Sequence, residues 1–205
     1  PAAGSDFEKF WPGLQIAGKD NLRQQSAMWQ AMLLSAGIAP SERILIHGHI
    51  MVAGQKMSKS LGNVISPDEL IEKFGKDGTR YLLLSSGNLE NDPDITLERL
   101  AEKYNADLAN GLGNLASRLV KLSERLSDAV PVALAIEYPE ALSQLIAEYR
   151  LADALEWIIE RTRALDKSIA EQKPWELAKT DVVEFEKAMK FFLDELALIA
   201  MNMHL

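Results

Sequence analysis

Residues 54–62 read Gly-Gln-Lys-Met-Ser-Lys-Ser-Leu-Gly and contain the most specific chemical pattern in the chain. Lys56 and Lys59 lie three residues apart, interleaved with the hydroxyls of Ser58 and Ser60. Lysine is a compact positive charge that suits phosphate oxygens, and serine hydroxyls can add hydrogen bonds. The flanking glycines allow the segment to move. The residues alone therefore leave two interpretations open, a phosphate-binding loop or a solvated surface loop.

Upstream of this segment the pattern alternates short strands with helices. Asp20 can cap a helix over residues 21–36 that Gly37 ends. Arg43–His47 is a β-branched apolar run and predicts a strand, and residues 50–52 predict a second short strand before the glycine-bounded loop.

Downstream of the loop, Ser66 can act as an N-cap and Pro67 as the first helical residue of a helix that Gly75 ends. A further short helix is predicted over residues 77–84. Strands that alternate with helices predict that residues 1–96 are the end of a parallel α/β domain.

Residues 97–205 have a purely helical pattern. Apolar residues recur at three- and four-residue steps and predict three long helices, over residues 97–126, 142–169 and 182–203. Thr96 is placed to cap the first helix, Pro131 and Pro139 bracket the connection that follows it, and Pro174 interrupts the end of the second. Long helices with short connections predict an up-and-down bundle.

The composition limits the possible classes of function. The 205 residues include no cysteine, which excludes disulfides, thiolate metal sites and a cysteine nucleophile. No apolar run is long enough to span a membrane, so we expect no membrane partner and a cytoplasmic location. The net charge of −8 disfavours bulk attraction to nucleic acid, so nucleic-acid binding would have to depend on local groups.

Both ends of the sequence predict a piece of a longer protein. The chain begins at Pro1 without an initiator methionine, and residues 196–205 continue an apolar helical repeat with no stop signal.

Two features of the helical part could contact nucleic acid. Asp107, Asn110, Asn114 and Arg118 are spaced 3, 4 and 4 and would form one polar stripe within about 80° of an α-helix. The alternative is an ordinary solvated face, although asparagine and aspartate are indifferent helix formers. Trp175 follows the helix-breaking Pro174 and is either a core tryptophan or a stacking platform for an unpaired base.

The string Lys56-Met57-Ser58-Lys59-Ser60 resembles the KMSKS signature of class I aminoacyl-tRNA synthetases, and residues 61–67 after it are also similar to that family. The resemblance implies a loop that closes over ATP while a carboxylate attacks the α-phosphate and pyrophosphate leaves. It implies that Lys59 is the main lysine on ATP, with Lys56 assisting and Ser58 nearby. Cations aimed at the developing phosphate charge would lower the barrier.

The same resemblance assigns two further ATP segments. Gly18 and Asp20 match a glycine and an aspartate near the ATP ribose, and His49 and Ile50 match the segment beside the adenine. His47-Gly48-His49-Ile50 only scrambles the second class I signature, HIGH. We therefore expect His47 to end a strand, no zinc site in this chain, and half of the ATP site to be missing.

Residues 105–118 together with Pro174-Trp175 resemble the anticodon-binding domain of methionyl-tRNA synthetases. The resemblance implies that Asn114 and Arg118 hydrogen-bond the first anticodon base, that Trp175 stacks on it, and that Asp107 and Asn110 support the stripe. One departure falls in the methionine pocket, where Gln25 stands at a histidine position near Asn21, and another replaces the family's proline by Gln30.

Taken together, the resemblance implies an α/β remnant of a Rossmann-like catalytic domain over residues 1–96 and an all-α anticodon-binding bundle over residues 97–205. The expected whole enzyme is a ligase that uses ATP and Mg²⁺ to attach methionine to tRNA(Met), although this chain alone should not catalyse activation. The alternatives are a leucyl or cysteinyl synthetase of the same class, a non-catalytic tRNA-binding module, and a purely structural helical scaffold that would leave residues 56–60 unexplained.

Overall fold

Strands β1 (Leu14–Gly18) and β2 (Arg43–His47) pair in parallel in the computed structural model, which describes residues 6–126 and 139–203. The β2 strand and its end at His47 are confirmed as predicted. The sequence pattern does not predict β1, because Gln15 and Gly18 interrupt a very short apolar run. The parallel pairing agrees with the expected α/β texture of this part of the chain.

Helical residues connect these two strands. A 3₁₀ turn (Lys19–Asn21), a π-helical turn (Gln24–Met28) and helix α2 (Trp29–Ser35) follow one another, close to the predicted helix. The predicted N-cap is wrong: Asp20 lies inside the 3₁₀ turn, Gly18 holds the cap position, and no side chain caps the turn. The Asp20 carboxylate is bonded to a lysine instead.

A β-hairpin comes next. Strands β3 (Met51–Val52) and β4 (Gln55–Lys56) pair in antiparallel register. Ala53 and Gly54 form the two-residue turn between these strands. Their φ values are 52° and 76°, and one common type of two-residue hairpin turn needs positive φ at both positions. The prediction of a glycine-bounded loop over residues 54–62 is therefore wrong for Gln55 and Lys56, which form β4.

These elements form the first of two compact units. It contains the described residues up to Ser66, including helix α1 (Asp6–Phe10), together with Ser86–Thr96. Its described core is small, with Ala17, Leu33 and Ile95 as the buried apolar residues. Side chains on this unit that are large, apolar and exposed include Phe10, Ile16, Met32 and Leu34.

The second unit contains Pro67–Ser85 and the chain from Leu97 onward. Residues 67–85 therefore belong with the helical part, which differs from the predicted boundary near residue 96. Helix α3 (Pro67–Leu84) is interrupted at Gly75, whose φ of 71° is not helical. This break confirms the predicted end of one helix and start of the next.

Helical structure continues from Leu97 to Ser123, close to the predicted first long helix, but it is not a uniform α-helix. Helix α4 (Leu97–Lys103) leads into ten π-helical residues, here called the π segment (Tyr104–Gly113), which end at helix α5 (Asn114–Ser123). A π-helix closes i→i+5 hydrogen bonds, so each residue turns through less than 100°. The α-helical angles predicted for the polar stripe therefore do not apply here.

The predicted second helix is divided in two, α6 (Glu140–Ala147) and α7 (Leu151–Gln172). Tyr149 has a φ of 60°, and the amide groups of Tyr149 and Arg150 donate to the carbonyls of Ile146 and Leu145. This is a Schellman ending, which usually has glycine at the position of Tyr149 and so escapes detection in the sequence.

Two further helices complete the described part, α8 (Pro174–Thr180) and α9 (Val182–Asn202). Pro174 is the first residue of α8, as its helix-breaking role predicts. Asp181 caps α9, its side chain accepting the Glu184 amide at 3.0 Å. The predicted connection around Pro131 lies outside the described residues.

The main core belongs to the second unit. Helices α7 and α9 pack against each other and against the helical segment from Leu97 to Ser123. Fully buried side chains from these elements include Leu115, Leu119, Ile158, Ile169, Phe185, Met189, Phe192 and Ile199. Among the described residues, no helix combines the length and apolar character needed to cross a membrane.

Candidate functional site

The first unit brings together two segments that are 36 residues apart in the sequence. Lys56 Nζ lies 2.9 Å from Asp20 Oδ2, and about half of each side chain is exposed. The hydrogen bond from Lys56 holds the pKa of the Asp20 carboxyl below its usual value. A lysine of the type suited to phosphate and a carboxylate of the type suited to hydroxyl groups therefore lie side by side at the surface of the first unit.

Gly18 lies two residues before Asp20, at the end of β1. A Cβ atom at Gly18 would lie 2.9 Å from Asp20 Oδ1 and 3.6 Å from His47 Cε1. The missing side chain therefore leaves room both for the Asp20 carboxylate and for the ring at the end of β2.

The lysine segment is held by its own polar contacts. The Asn63 side chain accepts the Ser58 amide at 2.8 Å and donates to the Lys56 carbonyl at 3.3 Å. Ser58 Oγ accepts the Leu61 amide at 3.3 Å, which caps the 3₁₀ turn that begins at Lys59. Asn63 is not among the site residues that the sequence predicts.

Lys59 differs from Lys56 in having no partner. Its side chain is exposed, and within the described residues it has no ion pair or hydrogen bond. Of the two predicted phosphate-binding lysines, Lys59 is thus the one that can meet an anion without first leaving another group.

A second acidic residue organises the predicted adenine segment. Asp92 Oδ1 accepts the His49 amide at 2.8 Å and a hydrogen bond from Lys19 Nζ at 2.6 Å. The Lys19 hydrogen bond and the His49 amide lower the pKa of the Asp92 carboxyl. A Cβ atom at Gly48 would lie 2.0 Å from the Asn91 carbonyl oxygen, so only glycine fits here.

The sequence gives no signal for Asp92, which stands 73 residues after Lys19 in an unpatterned stretch. Its role depends on the fold of Ser86–Thr96 back onto the first unit. Ile50, the other predicted residue of this segment, lies directly before β3 and is exposed.

The predicted amino-acid pocket residues lie on the helical connection after β1. Asn21 is exposed, and Gln25 is half-buried in the π-helical turn. Gln30 donates to the Gln25 carbonyl at 2.8 Å and accepts the Ser41 amide at 2.9 Å. Gln30 therefore ties the helix to the loop before β2, which a proline at this position could not do.

In the second unit the predicted polar stripe is divided, because Asp107 is only 7% exposed. Tyr81 donates to Asp107 Oδ2 at 2.7 Å and Lys103 donates to the same oxygen at 2.8 Å, while Arg163 approaches Oδ1 at 3.5 Å. Burial opposes ionisation, but the hydrogen bonds from Lys103 and Tyr81 outweigh it and keep the pKa of Asp107 below its usual value. The expectation that Asp107 shares an exposed stripe is corrected: its carboxylate is a buried anchor of the π segment.

The other three stripe residues lie at the surface. Asn110 and Asn114 are exposed, and their side chains have no hydrogen bond within the described part of the chain. Arg118 is partly exposed, and its NH1 group donates to Asp166 Oδ1 at 2.6 Å. Free amide groups and a guanidinium on one helical segment can supply donors and acceptors to base edges.

Trp175 is the second residue of α8 and is partly buried, directly after the fully buried Pro174. Lys173 before them has a φ of 47°, which turns the chain sharply from α7 into α8. This indole is neither a full core residue nor a freely exposed side chain.

No group of three or more His, Cys, Asp or Glu side chains that could hold a metal ion occurs in residues 6–126 and 139–203. This observation concerns those ranges alone.

The chain is similar to proteins of one family. A family model described as tRNA synthetases class I (M) matches residues 2–120. The methionine–tRNA ligase of Rickettsia typhi is 34% identical over 98% of this chain, and that of Rhizobium meliloti is 38% identical over 84% of it. The chain spans only 43% and 36% of the length of these two relatives.

A solved structure agrees with these relatives. The Mycobacterium tuberculosis methionyl-tRNA synthetase in complex with methionyl-adenylate has a TM-score of 0.78 and 31% identity. The match covers 98% of this chain and 43% of that one.

Proposed function

The chain belongs to the class I (M) tRNA synthetases, and from this premise we propose that it is the part of a methionine–tRNA ligase that closes over ATP and reads the anticodon. The whole enzyme would activate methionine with ATP and transfer it to tRNA(Met). The observation that carries the proposal is the contact between Lys56 and Asp20, because it joins two motifs that the family resemblance assigns independently to ATP.

On the ATP side, Gly18 would allow close approach of the ribose and Asp20 would accept its hydroxyl groups. Lys59 would make the first contact with the phosphates, and Lys56 would follow by leaving Asp20. An exposed ion pair contributes about 0–1 kcal/mol to stability. Little free energy is therefore lost when Lys56 and Asp20 separate to contact the phosphates and the ribose. Losing one positioned cation in such a site slows phosphoryl chemistry by roughly 10²–10³-fold.

The adenine would lie against the backbone of His49 and Ile50. Asp92 supports this role because it fixes the His49 amide from one side while Gly48 packs tightly against Asn91. Ser58 would contribute a hydroxyl near the phosphates once its cap on the 3₁₀ turn is released.

Magnesium would enter with ATP and be held mainly by the phosphate oxygens, since the described residues offer no carboxylate cluster for it. Its charge would offset that of the phosphates. The absence of a zinc site from this chain stays a prediction.

Methionine would bind beside Asn21 and Gln25. An amide at Gln25 can donate and accept hydrogen bonds but cannot carry a positive charge, so this pocket would be neutral where the family commonly has histidine.

In the second unit, Asn114 and Arg118 would hydrogen-bond the first anticodon base and Trp175 would stack on it, with Asn110 beside them. Asp107 would act from the interior by anchoring the π segment that carries Asn110. We assign the first unit to the end of a Rossmann-like catalytic domain in the cytoplasm. The exposed apolar side chains of Leu14 and Ile16 on β1 support the assignment to a Rossmann-like domain, since parallel sheets are normally covered on both faces.

The test is binding of the 205-residue chain to two RNA hairpins at one fixed salt concentration. One hairpin carries a CAU anticodon loop and the other a scrambled loop of the same composition. We expect preference for CAU, and we expect Trp175→Ala to lose it because base stacking contributes about 1–3 kcal/mol.

The matched control is Trp157→Ala, which removes a tryptophan from the first half of α7 and leaves the α7–α8 junction intact. Circular dichroism would establish that each variant is folded. Equal binding of both hairpins by the folded chain would contradict the methionine assignment and favour a leucyl or cysteinyl enzyme of the same class. Preference for the CAU hairpin would also contradict the alternative hypothesis that the chain is a purely structural helical scaffold.

A further inference from the structure

Arg118 is joined to a carboxylate on another helix. Its NH1 group on α5 lies 2.6 Å from Asp166 Oδ1 on α7, 48 residues further along the chain. The two side chains are 36% and 52% exposed, so solvent and ligands can reach both. Ion pairs within α7, such as Lys167 with Glu171, connect residues of one helix, whereas this pair connects two.

The pair leaves most of its hydrogen-bonding groups unused. A guanidinium has five N–H donors in a fixed plane, and the contact with Asp166 uses one of them. The second carboxylate oxygen of Asp166, Oδ2, has no hydrogen bond in the part of the chain that the structure describes. Donors of Arg118 therefore lie next to a free acceptor of Asp166, on a surface where Asn114 is also unpartnered.

Donors beside an acceptor match one base edge in particular. Cytosine presents two adjacent acceptors, O2 and N3, followed by the N4 amino donor, which is the edge that guanine reads in a base pair. Uracil has an N3–H donor where cytosine has the N3 acceptor, and an O4 acceptor where cytosine has the N4 amino group. Its N3–H would therefore face the donors of Arg118, and its O4 would face the carboxylate of Asp166. Unpaired bases in RNA loops are commonly read on this edge.

We propose that Asp166 is a base-reading residue: its free oxygen accepts the N4 amino group of a cytosine whose N3 and O2 are bound by Arg118. This inference rests on the proposed function, in which Arg118 meets the first base of a CAU anticodon. It adds a carboxylate to that site and assigns it the discrimination of cytosine from uracil. Asp166 also keeps the guanidinium in place before RNA arrives.

The experiment removes the N4 amino group from the RNA and its acceptor from the protein. The 205-residue chain is titrated with the CAU hairpin and with the same hairpin carrying pyrimidin-2-one ribonucleoside in place of the cytosine. That nucleoside keeps O2 and N3 but lacks the amino group. Because a hydrogen bond to a charged group is lost, the unsubstituted chain should bind the modified hairpin about tenfold more weakly.

Asp166→Ala should bind both hairpins equally, since the acceptor is already gone. Asp166→Asn, which keeps the size of the side chain, should also lower the ratio between the two affinities several-fold. Glu171→Ala is the matched control, because it removes one exposed carboxylate from the same helix and should keep the tenfold ratio. Circular dichroism checks that each variant is folded.

A tenfold ratio that persists in Asp166→Ala, with CAU still preferred over a scrambled loop, would overturn this inference and leave the proposed function intact. No CAU preference in the unsubstituted chain would overturn the proposed function and this inference with it.

Discussion

Replacing Asp107 by alanine should destabilise the second unit substantially. The carboxylate is 7% exposed and accepts hydrogen bonds from Tyr81 at 2.7 Å and from Lys103 at 2.8 Å. Burial and this hydrogen bond raise the pKa of Tyr81, so its hydroxyl stays a donor at any ordinary pH. Without Asp107 the Tyr81 hydroxyl, on a side chain that is 6% exposed, loses the acceptor that satisfies it.

The magnitude follows from the two bonds. A buried hydroxyl left without an acceptor costs about 1–3 kcal/mol. Loss of the hydrogen bond from the charged Lys103 costs less than it would for a fully buried group, because the Lys103 side chain is 29% exposed and its ammonium group can bind water instead. We therefore expect the free energy of unfolding to fall by about 2–4 kcal/mol in total. For a chain of this size that lowers the melting temperature by roughly 5–15 °C.

Urea denaturation followed by circular dichroism measures this loss. Tyr81→Phe should lower the free energy of unfolding less than Asp107→Ala does, since Lys103 still donates a hydrogen bond to Asp107. When Tyr81 is already phenylalanine, Asp107→Ala should lower the free energy of unfolding by at least about 1 kcal/mol less than it does in the unsubstituted chain. Equal costs in both backgrounds, or a loss below about 0.5 kcal/mol for Asp107→Ala, would refute the reasoning.

The same network predicts a pH dependence. Because the pKa of Asp107 is lowered by folding, its contribution to stability is present at neutral pH and is lost as the pH falls below about 4. Asp107→Asn should lack this part of the acid destabilisation and show a flatter stability profile below pH 4. An unchanged profile would contradict the assignment.

Three further predictions concern single positions. Lys56→Ala should raise the pKa of the Asp20 carboxyl towards its usual value, seen by NMR titration of the side-chain carbon, and should leave the midpoint of urea denaturation nearly unchanged because the pair is exposed. Gly48→Ala should destabilise the first unit by about 1–3 kcal/mol or more in urea denaturation, because its Cβ would meet the Asn91 carbonyl oxygen at 2.0 Å. Lys173→Gly should stabilise the chain by about 1 kcal/mol in the same assay, since a φ of 47° is strained for lysine.

The sequence predicts those strands and helix ends that depend on residues close together in the chain. The β-branched run of β2 and the proline at the start of α8 each act within a few residues, and both are visible in the sequence. Strand β1 is different, because it depends on pairing with β2 across 24 intervening residues and has almost no pattern of its own.

The candidate sites divide in the same way. The lysine motif and the pair Gly18 and Asp20 can each be recognised in the sequence as a short motif. The contact between Lys56 and Asp20 cannot, because it depends on how the β3–β4 hairpin folds back. The spacing of the polar stripe predicts one exposed face only for an α-helix, whereas the π segment has other angles and Asp107 is buried in it. Asp92 and Asp166 escape notice because each acts on a residue dozens of positions away.

In both candidate sites, with Lys59 as the exception, positively charged side chains are paired with carboxylates before a ligand arrives. Lys19, Lys56 and Arg118 each rest on a carboxylate from a distant part of the chain, which keeps an extended side chain in place in a protein of net charge −8. An exposed pair of this kind contributes about 0–1 kcal/mol, so a ligand can share or displace the carboxylate at little cost. Attraction between net charges is then weak, and selectivity rests on which hydrogen-bonding groups remain free in each pair. From residue 99 onward there are 13 Lys and Arg against 18 Asp and Glu, so we expect RNA affinity to fall only modestly with rising salt.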